Sequence, residues 1–315
     1  MALFKDKRRE SITAVNELAL QSPTEFVKDC ENQYKERLAA AADEILRHEA
    51  TVVLASGPSA SGKTTSANLL AREIKNLGAD AIVISLDDFF KGVDKYPKTA
   101  DGKPDLEHVE TLDIPLVKSA ISELLATGHS TIPQYDFVTQ RRKTETREIT
   151  LAPGAVAIIE GIHALNPILT EDIDNMGRLL KMYIGLREEY YSGLLRELST
   201  RDLRITRRLV RDRLSRGYSI EHTLSVWENI KRGENKWIKP FKRYADMLLD
   251  TSITCEPCIF RYVMDEIVKD DENQGGIYRD TFAELRSRYE MFTPLSPDLL
   301  AADSMLREFV GGLQI

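Results

Sequence analysis

Short apolar runs and longer amphipathic stretches alternate along the middle of the chain. Four short runs, at 52–54 and within 81–92, 155–165 and 181–186, are apolar and predict buried strands, and the first is also β-branched. Stretches with helical spacing separate them. The clearest is 111–128, an amphipathic pattern that stops at a glycine. Strands that alternate with helices predict an α/β fold with a mainly parallel sheet between layers of helices.

Both ends of the chain have helical patterns. Residues 22–25 have the cap, proline and acidic residue of a helix start, and 36–46 is rich in strong helix formers. Helical patterns also cover about 259–269 and 279–291. The predicted units are an N-terminal helical segment (1–49), a central domain (50–255) and a C-terminal helical extension packed on it (256–315).

The first apolar run leads into a sequence that matches G-x-x-x-x-G-K-[ST] from Gly57 to Thr64. A strand before it and a helix after it favour a phosphate-binding loop (P loop) over a chance match. The glycines let backbone N–H groups turn inward around an anion. Lys63 can reach the β- and γ-phosphates of ATP, and the Thr64 hydroxyl can bind Mg²⁺. The predicted ATP-binding residues are Gly57, Ser59, Ala60, Ser61, Gly62, Lys63, Thr64 and Thr65.

Acidic residues follow the next two apolar runs. Asp87 and Asp88 end the second run, and Glu160 ends the third. Ligands of a parallel sheet bind at the carboxyl ends of its strands, so these side chains are expected near the transferred phosphate. Thr64, Asp87 and Glu160 are therefore the predicted Mg²⁺ ligands. The alternative for each acid is a turn or a helix cap.

Arginine is concentrated between 201 and 216, where seven occur. Arg204, Arg208 and Arg211 share one face of a predicted helix. We expect this helix, about 201–217, to be a lid whose guanidinium groups neutralise the transferred phosphate and exclude water. The alternative is a solvated or RNA-contacting helix.

Three further patterns are less regular. Residues 219–250 predict a long helix, a loop near Arg232 and Gly233, and a short strand. Residues 144–150 predict a polar hairpin. Tyr135 and Phe137 alternate in a short extended stretch, where they would either pack in the core or stack on a flat ring.

Composition narrows the functional classes. The net charge of −7 disfavours nonspecific nucleic-acid binding as the main task. No apolar run reaches membrane-spanning length, and the N-terminus lacks the apolar core of a signal peptide, so we expect a cytoplasmic protein. Cys255 and Cys258 form a C-x-x-C pair without a second pair to complete a zinc site, and we expect them to be core residues.

Taken together, these motifs resemble the uridine kinase and phosphoribulokinase group of P-loop kinases. The matching segments span about 50–250: GPSASGKTT (57–65), SLDDFF (85–90), PDLEHVETLD (104–113), IPQYDF (132–137), IIEGIHAL (158–165) and RITRRLVRDRLSRG (204–217). The resemblance implies a P-loop NTPase fold with three αβα layers and a helical lid. It also implies ATP and Mg²⁺ as cofactors.

The resemblance implies roles for individual residues. Asp87 is at the position of the base that accepts the proton of a nucleoside 5′-hydroxyl, and the expected catalytic residues are Asp87, Lys63, Arg204 and Arg208. Phe90 replaces a common tyrosine, and Gln140 stands where pyrimidine enzymes often have a histidine. The expected substrate-binding residues are Asp87, Phe90, Glu107, Tyr135, Phe137, Gln140 and Arg204.

The function expected from the sequence is an ATP- and Mg²⁺-dependent nucleoside kinase that phosphorylates the 5′-hydroxyl of uridine or cytidine. A phosphoribulokinase-like or other small-metabolite kinase is the first alternative. A nucleotide-gated RNA-binding or regulatory protein is the alternative from another class. We expect a small-molecule nucleoside as the main partner, no membrane partner, little nucleic-acid binding and, from the family, a homo-oligomer.

Overall fold

A computed structural model describes residues 7–99, 102–173, 178–270 and 277–314. Its strands are β1 (Arg8–Ser11), β2 (Val52–Ser56), β3 (Ala81–Ser85), β4 (His129–Asp136), β5 (Arg141–Thr150), β6 (Val156–Glu160), β7 (Leu179–Gly185), β8 (Glu188–Ser192), β9 (Leu195–Leu198) and β10 (Met247–Asp250). Its helices are α1 (Ile12–Gln21), α2 (Pro23–Arg47), α3 (Lys63–Asn76), α4 (Ile114–Thr127), α5 (Thr200–Arg216), α6 (Ile220–Trp237), α7 (Glu256–Asp270), α8 (Arg279–Tyr289) and α9 (Arg307–Val310).

Five parallel strands form the central sheet in the order β10-β7-β2-β6-β3. All five residues of β2 and all five of β6 are buried, which explains their continuous apolar sequence. β2 is the middle strand, with β6 and β7 as its neighbours. The loop that leaves β2 therefore emerges at the centre of the sheet's carboxyl edge, where ligands of such sheets bind.

Alternate residues of each strand face opposite layers of helices. Val53 and Ala55 of β2 pack in one core with Leu70 of α3, whereas Val52 and Leu54 pack in a second core with residues of α4. The α4 helix begins at the N-cap Asp113, and it ends at Gly128 with φ 73°. The predicted α/β fold with three αβα layers is confirmed.

The N-terminal segment contains a helix and a strand that the sequence did not predict. The helix start at 22–25 and the helical stretch 36–46 both belong to α2, whereas α1 and β1 come before them. The strand β1 pairs in parallel with β8, and β9 completes a three-stranded sheet. Arg8 joins the two sheets, because its guanidinium pairs with Glu188 of β8 and with Asp250 at the end of β10. No helix in the described part of the chain is long and apolar enough to span a membrane.

Two local predictions are wrong. The loop expected near Arg232 and Gly233 lies inside α6, which is continuous from Ile220 to Trp237. Residues 144–150 are part of the long strand β5, which pairs with β4 across a turn at 137–140. In β5 exposed polar residues produced a pattern that resembles a turn, whereas in α6 the misleading signal was Gly233, which is buried inside the helix.

The cysteine pair lies in the core. Cys255 and Cys258 are fully buried at the start of α7, close to the buried Cys30. Burial raises the pKa of the Cys258 thiol to about 12, so it stays protonated and unreactive at neutral pH. Within the described residues no group of three or more His, Cys, Asp or Glu side chains is arranged to hold a metal ion.

Candidate active site

The P loop runs from the end of β2 to the start of α3 and is tightly packed at both of its glycines. A Cβ on Gly57 would lie 2.0 Å from the carbonyl oxygen of Ile184 in β7, so a larger residue cannot replace it. Gly62 has φ 82° and precedes the first residue of α3. Ala60 is also left-handed, with φ 57°. These turns bring the start of α3, with its free backbone N–H groups, to the centre of the sheet edge.

Thr64 and the predicted acid Glu160 meet at this edge. The Thr64 hydroxyl donates to Glu160 Oε1 at 3.1 Å, and the Ser85 hydroxyl donates to the same oxygen at 3.2 Å. Glu160 ends β6, the strand between β2 and β3, and is 5% exposed. Hydroxyl and carboxylate oxygens are the ligands that Mg²⁺ prefers, so this donor set fits the ion that P-loop kinases usually use.

Asp87 lies in the short 3₁₀ helix that follows β3. The Ser85 hydroxyl caps the helix by accepting from the Asp87 backbone N–H at 3.3 Å. Partial burial, and then the nearby charge of Glu160, raises the pKa of the Asp87 carboxyl to about 6, although Lys63 opposes this shift. The neighbouring Asp88 binds the backbone of β4 instead, because its Oδ1 accepts from the backbone N–H of Tyr135 at 3.4 Å.

Glu107 is brought to the same cleft by the loop before α4. A Cβ on Gly233 of α6 would lie 2.2 Å from the Cβ of Glu107, so the glycine makes room for this side chain. Burial, and then the charge of Glu234, raises the pKa of Glu107 to about 7, while Arg208 and Lys63 oppose the rise. The charge of Lys63 thus favours the ionised form of both Asp87 and Glu107.

Aromatic rings cover one side of this cleft. The ring centroids of Phe90 and Tyr135 are 5.6 Å apart, and those of Tyr135 and Phe137 are 5.2 Å apart. Tyr96, which the sequence did not single out, joins them at 6.1 Å from Phe90. Tyr135 is 8% exposed whereas Phe137 is 62% exposed, so Tyr135 is part of the core and Phe137 lies on the surface.

Gln140 lies apart from the aromatic rings, at the turn between β4 and β5. Its side chain is exposed and its backbone is left-handed, with φ 54°. Its carbonyl oxygen accepts from the backbone N–H of Val93 at 3.4 Å, which ties the turn to the loop after Asp87. The structure does not bring the Gln140 side chain into the cleft with the other predicted residues.

The predicted lid is the helix α5, and two of its arginines contact the P loop. Arg204 Nε donates to the carbonyl oxygen of Ser59 at 2.9 Å, and Arg208 Nη1 donates to the Ser59 hydroxyl at 2.8 Å. Arg204 is 7% exposed and also pairs with Glu234 of α6. Arg208 pairs with Asp212 at 3.2 Å. Both arginines are therefore held beside the P loop by carboxylates.

A third arginine of the run lies beneath the P loop. Arg207 is fully buried and makes two hydrogen bonds of 2.6 Å to the carboxylate of Glu256 at the start of α7. It also donates to the carbonyl oxygen of Thr251 at 2.8 Å, and the Thr251 hydroxyl donates to the carbonyl oxygen of Ser61 at 2.6 Å. Arg207 thus supports the loop from inside instead of facing a substrate.

The C-terminal segment 305–309 also reaches the P loop, which the sequence did not predict. The Thr65 hydroxyl donates to Glu308 Oε2 at 2.5 Å, and Glu308 Oε1 lies 3.9 Å from Arg211 Nη1. A Cβ on Gly62 would lie 2.9 Å from the sulfur of Met305. The segment therefore lies directly beside the start of α3.

His163 follows Glu160 in the loop after β6. Its ring is buried, and neither ring nitrogen has a hydrogen-bond partner within the described part of the structure. Burial, and then the neighbouring His108, lowers the pKa of His163 to about 3, so the ring is neutral at physiological pH. A neutral imidazole without partners can accept one hydrogen bond and donate another to a bound molecule.

A P loop at the centre of a parallel sheet, with acids at the ends of the next strands and arginines on a following helix, defines a P-loop kinase, a phosphotransferase with an alcohol acceptor. The family model "PRK: Phosphoribulokinase / Uridine kinase family" matches residues 52–255. The chain belongs to the phosphoribulokinase and uridine kinase family.

Two relatives named uridine kinase agree with this assignment, and one solved structure shows a similarity only. A uridine kinase of Lactobacillus helveticus is 31% identical over 194 residues, which cover 61% of this chain and 82% of the relative. A uridine kinase of Deinococcus deserti is 28% identical over 211 residues, 66% of this chain and 91% of the relative. The structure of phosphoribulokinase from Rhodobacter spheroides aligns with a TM-score of 0.44 and 18% identity, over 66% of this chain and 74% of that one.

Proposed function

We propose that this protein is an ATP-dependent nucleoside kinase that transfers the γ-phosphate to the 5′-hydroxyl of uridine or cytidine. The observation that carries the proposal is the position of Asp87, beside Lys63 at the carboxyl edge of the sheet and next to an aromatic cleft. Its relatives named uridine kinase support the same class of acceptor.

Asp87 is the proposed base. A carboxyl with a pKa of about 6 is ionised at neutral pH and is more basic than an ordinary aspartate. It orients the acceptor hydroxyl and takes its proton while the oxygen–phosphorus bond forms and the bond to ADP breaks. Because phosphoryl transfer depends mainly on alignment and charge neutralisation, no covalent enzyme intermediate is needed.

Cationic side chains supply the neutralising charge. Lys63 reaches the phosphates from the start of α3, and Arg208 lies against the P-loop residue Ser59. Thr64, Glu160 and Asp87 would hold Mg²⁺, which would supply further positive charge to offset that of the phosphates. Arg204 keeps the loop in place through the Ser59 carbonyl oxygen and acts as a positioning residue.

The acceptor is proposed to lie between Glu107 and the aromatic rings. Tyr135 and the exposed Phe137 offer faces for a flat base, and the Glu107 carboxyl can bond to ribose hydroxyls. Gln140 would read the base only if the β4–β5 turn closes over the cleft, because its side chain is exposed in this structure.

A small-metabolite kinase of the phosphoribulokinase type is the second candidate. The family includes that activity, and the cleft has a cation at Arg208. The cluster of four aromatic rings favours a nucleoside, since a sugar phosphate is recognised mainly by basic groups.

The test is ADP release with ATP, Mg²⁺ and a panel of nucleosides and sugar phosphates. Asp87→Asn should lower kcat by about 10²- to 10⁴-fold, because a positioned base contributes that much. Asp88→Asn is the matched control, since that carboxylate bonds to the Tyr135 backbone and should leave kcat within a few-fold.

The outcomes separate the candidates. Turnover of uridine or cytidine that is lost in Asp87→Asn supports the proposal. Turnover of a purine nucleoside keeps the mechanism and rejects the pyrimidine assignment, whereas turnover of a sugar phosphate alone favours the second candidate. Protein that binds ATP but phosphorylates nothing in the panel, and binds RNA in a salt-sensitive way, would reject both.

A further inference from the structure

The segment 305–310, which we call the C-terminal strap, packs against the start of α3, and the mechanism proposed above does not use it. Its helix α9 has four residues. A helix this short is not stable alone, so the strap keeps its shape through contacts with the rest of the protein. The Met305 side chain fits against Gly62 of the P loop, and the Arg207 guanidinium carbon lies 4.9 Å from the centroid of the Phe309 ring. The strap therefore lies directly beside the place where a nucleotide is expected.

The Glu308 carboxylate of the strap lies where a phosphate group would find suitable partners. Its Oε2 accepts from the Thr65 hydroxyl at 2.5 Å, and its Oε1 lies 3.9 Å from Arg211 Nη1. Thr65 belongs to the first turn of α3, whose backbone N–H groups have no carbonyl partner within the helix. A hydroxyl and free N–H groups at a helix start, together with an arginine, are groups that bind phosphate. Glu308 is therefore an anion that the chain itself supplies at this position.

Glu308 and a bound nucleotide would compete for these groups. The P loop brings the phosphates of a nucleotide to the start of α3. The Glu308 side chain is 18% exposed, so water screens its charge only in part, and two anions at one helix start repel each other. The phosphate chain carries more charge and more acceptor oxygens than one carboxylate. We therefore expect the nucleotide, at sufficient concentration, to take the place of the Glu308 carboxylate.

The present position of the strap leaves buried hydroxyls without partners. Within the described part of the structure, the hydroxyls of Ser61 in the P loop and of Ser304 just before the strap make no hydrogen bond. The two residues are 0% and 4% exposed. Buried polar groups are normally paired, and an unpaired one destabilises the arrangement that buries it. The packed position of the strap is therefore less stable than a fully paired contact would be, which favours its displacement.

The chain is tied on both sides of the strap. Before it, Asp303 pairs with Arg72 at 2.7 Å, and after it the Gln314 N–H donates to the Ala302 carbonyl oxygen at 2.9 Å. The two glycines at 311–312 have left-handed backbones, with φ 91° and 79°, and a Cβ on the first would meet nothing within 4 Å. The strap can therefore loosen between two fixed points without release of the rest of the C-terminal segment.

We propose, on the basis of the ATP use proposed above, that the strap is an internal competitor of the donor nucleotide. The Glu308 carboxylate occupies a phosphate position at the start of α3, and the phosphate chain of the bound nucleotide displaces it and loosens the strap. The apparent affinity for the nucleotide is then lowered by the fraction of molecules in which the strap is closed. Any change that opens the strap should strengthen nucleotide binding.

The experiment is hydrogen exchange of the full chain, measured by mass spectrometry with and without the non-hydrolysable β,γ-imido analogue of ATP and Mg²⁺. No acceptor is added. The analogue should slow exchange in the P loop, at 57–66, because it covers that backbone. It should speed exchange in the strap about tenfold or more, because opening no longer has to break a charge-assisted hydrogen bond.

The variant Glu308→Gln removes the charge and keeps the size of the side chain. A neutral hydrogen bond is about half as strong, so the strap should exchange about threefold or more faster than in wild type before the analogue is added. The analogue should bind about 3- to 5-fold more tightly, because the repulsion is absent. The matched control is Asp298→Asn, which removes an exposed acid earlier in the C-terminal segment and should behave as wild type. Thermal unfolding checks that both variants are folded.

The outcomes distinguish this proposal from the proposed function. An analogue that does not protect the P loop would reject ATP as the donor, and the competitor role would fail with it. Protection of the P loop with unchanged exchange in the strap would reject the competitor role alone. Slower exchange in the strap, or weaker binding of the analogue to Glu308→Gln, would overturn it as well and would make Glu308 part of the nucleotide site.

Discussion

The two sides of the P loop use their acids for different purposes. Towards β3, Asp87 and Glu107 have raised pKa values, because burial and neighbouring acids outweigh the influence of nearby cations. Beneath and behind the loop, Glu256 is fixed by two hydrogen bonds to Arg207, and Glu308 accepts from Thr65. The raised pKa values let Asp87 and Glu107 exchange protons near neutral pH. The hydrogen bonds of Glu256 and Glu308 instead hold the P loop in shape. Arginines from the same helix, α5, serve both sides.

The largest expected effect is a loss of stability when the pair of Arg207 and Glu256, which supports the P loop, is broken. Arg207→Met leaves the Glu256 carboxylate buried without its partner, which should reduce the free energy of unfolding by about 3–5 kcal/mol. Urea unfolding at pH 7 measures it. The matched control is Arg213→Met in the same helix, whose side chain is only half-buried and which should change stability little. A small loss for Arg207→Met would show that the pair is not needed for the loop.

A smaller effect on stability, which depends on pH, is expected from Glu107 in the proposed acceptor cleft. The folded-state pKa of Glu107 is raised to about 7, so its ionisation costs stability as the pH rises from about 4.5 to above 7. Glu107→Gln cannot ionise and should therefore be more stable than wild type at pH 8, by about 3 kcal/mol, and similar to it near pH 4.5. Urea unfolding at both pH values tests the sign. Equal stability at pH 8 would mean that the carboxyl is better hydrated or better paired than the structure indicates.

The smallest effect concerns Glu308. Its charge lies next to the start of α3, where it stabilises the helix but also repels a nucleotide phosphate. Glu308→Gln should lower the free energy of unfolding by about 1 kcal/mol and lower the KM for ATP about 3- to 5-fold, with kcat almost unchanged. Steady-state kinetics with varied ATP and urea unfolding give both numbers.

Glu25→Gln is the control for that prediction. Glu25 is an exposed acid in the first turn of α2, so its loss should cost similar helix stabilisation without any change in KM. A rise in the KM for ATP in Glu308→Gln would contradict the idea of repulsion and would make Glu308 a residue that assists nucleotide binding.

Local sequence was sufficient to predict the central part of the molecule. A P loop is a contiguous motif, and acids at strand ends have a known place at the sheet edge, so Thr64 and Glu160 could be paired before the structure was known. These features depend on neighbours that are close along the chain or on a repeated topology.

The remaining features depend on contacts between distant segments. The periodicity of α5 separates its faces but does not say that Arg207 would meet Glu256, 49 residues later. Gly233 looked like a loop residue because its role, to make room for Glu107, is visible only in the packed structure. Tyr96 lacked a motif, and its place among the aromatic rings comes from the path of a turn-rich loop.

The contact between Thr65 and Glu308 joins residues that are 243 positions apart in the chain. During synthesis at 5–20 residues per second, the P loop is made roughly 10–50 s before the segment that packs against it. Until then the surfaces that will contact Met305 and Phe309 are open. They include the Arg207 guanidinium, which lies over the Phe309 ring in the folded protein. A nascent chain is therefore expected to present an incomplete nucleotide site to chaperones, and a stop codon or protease cut shortly before residue 305 would leave the finished protein in that condition.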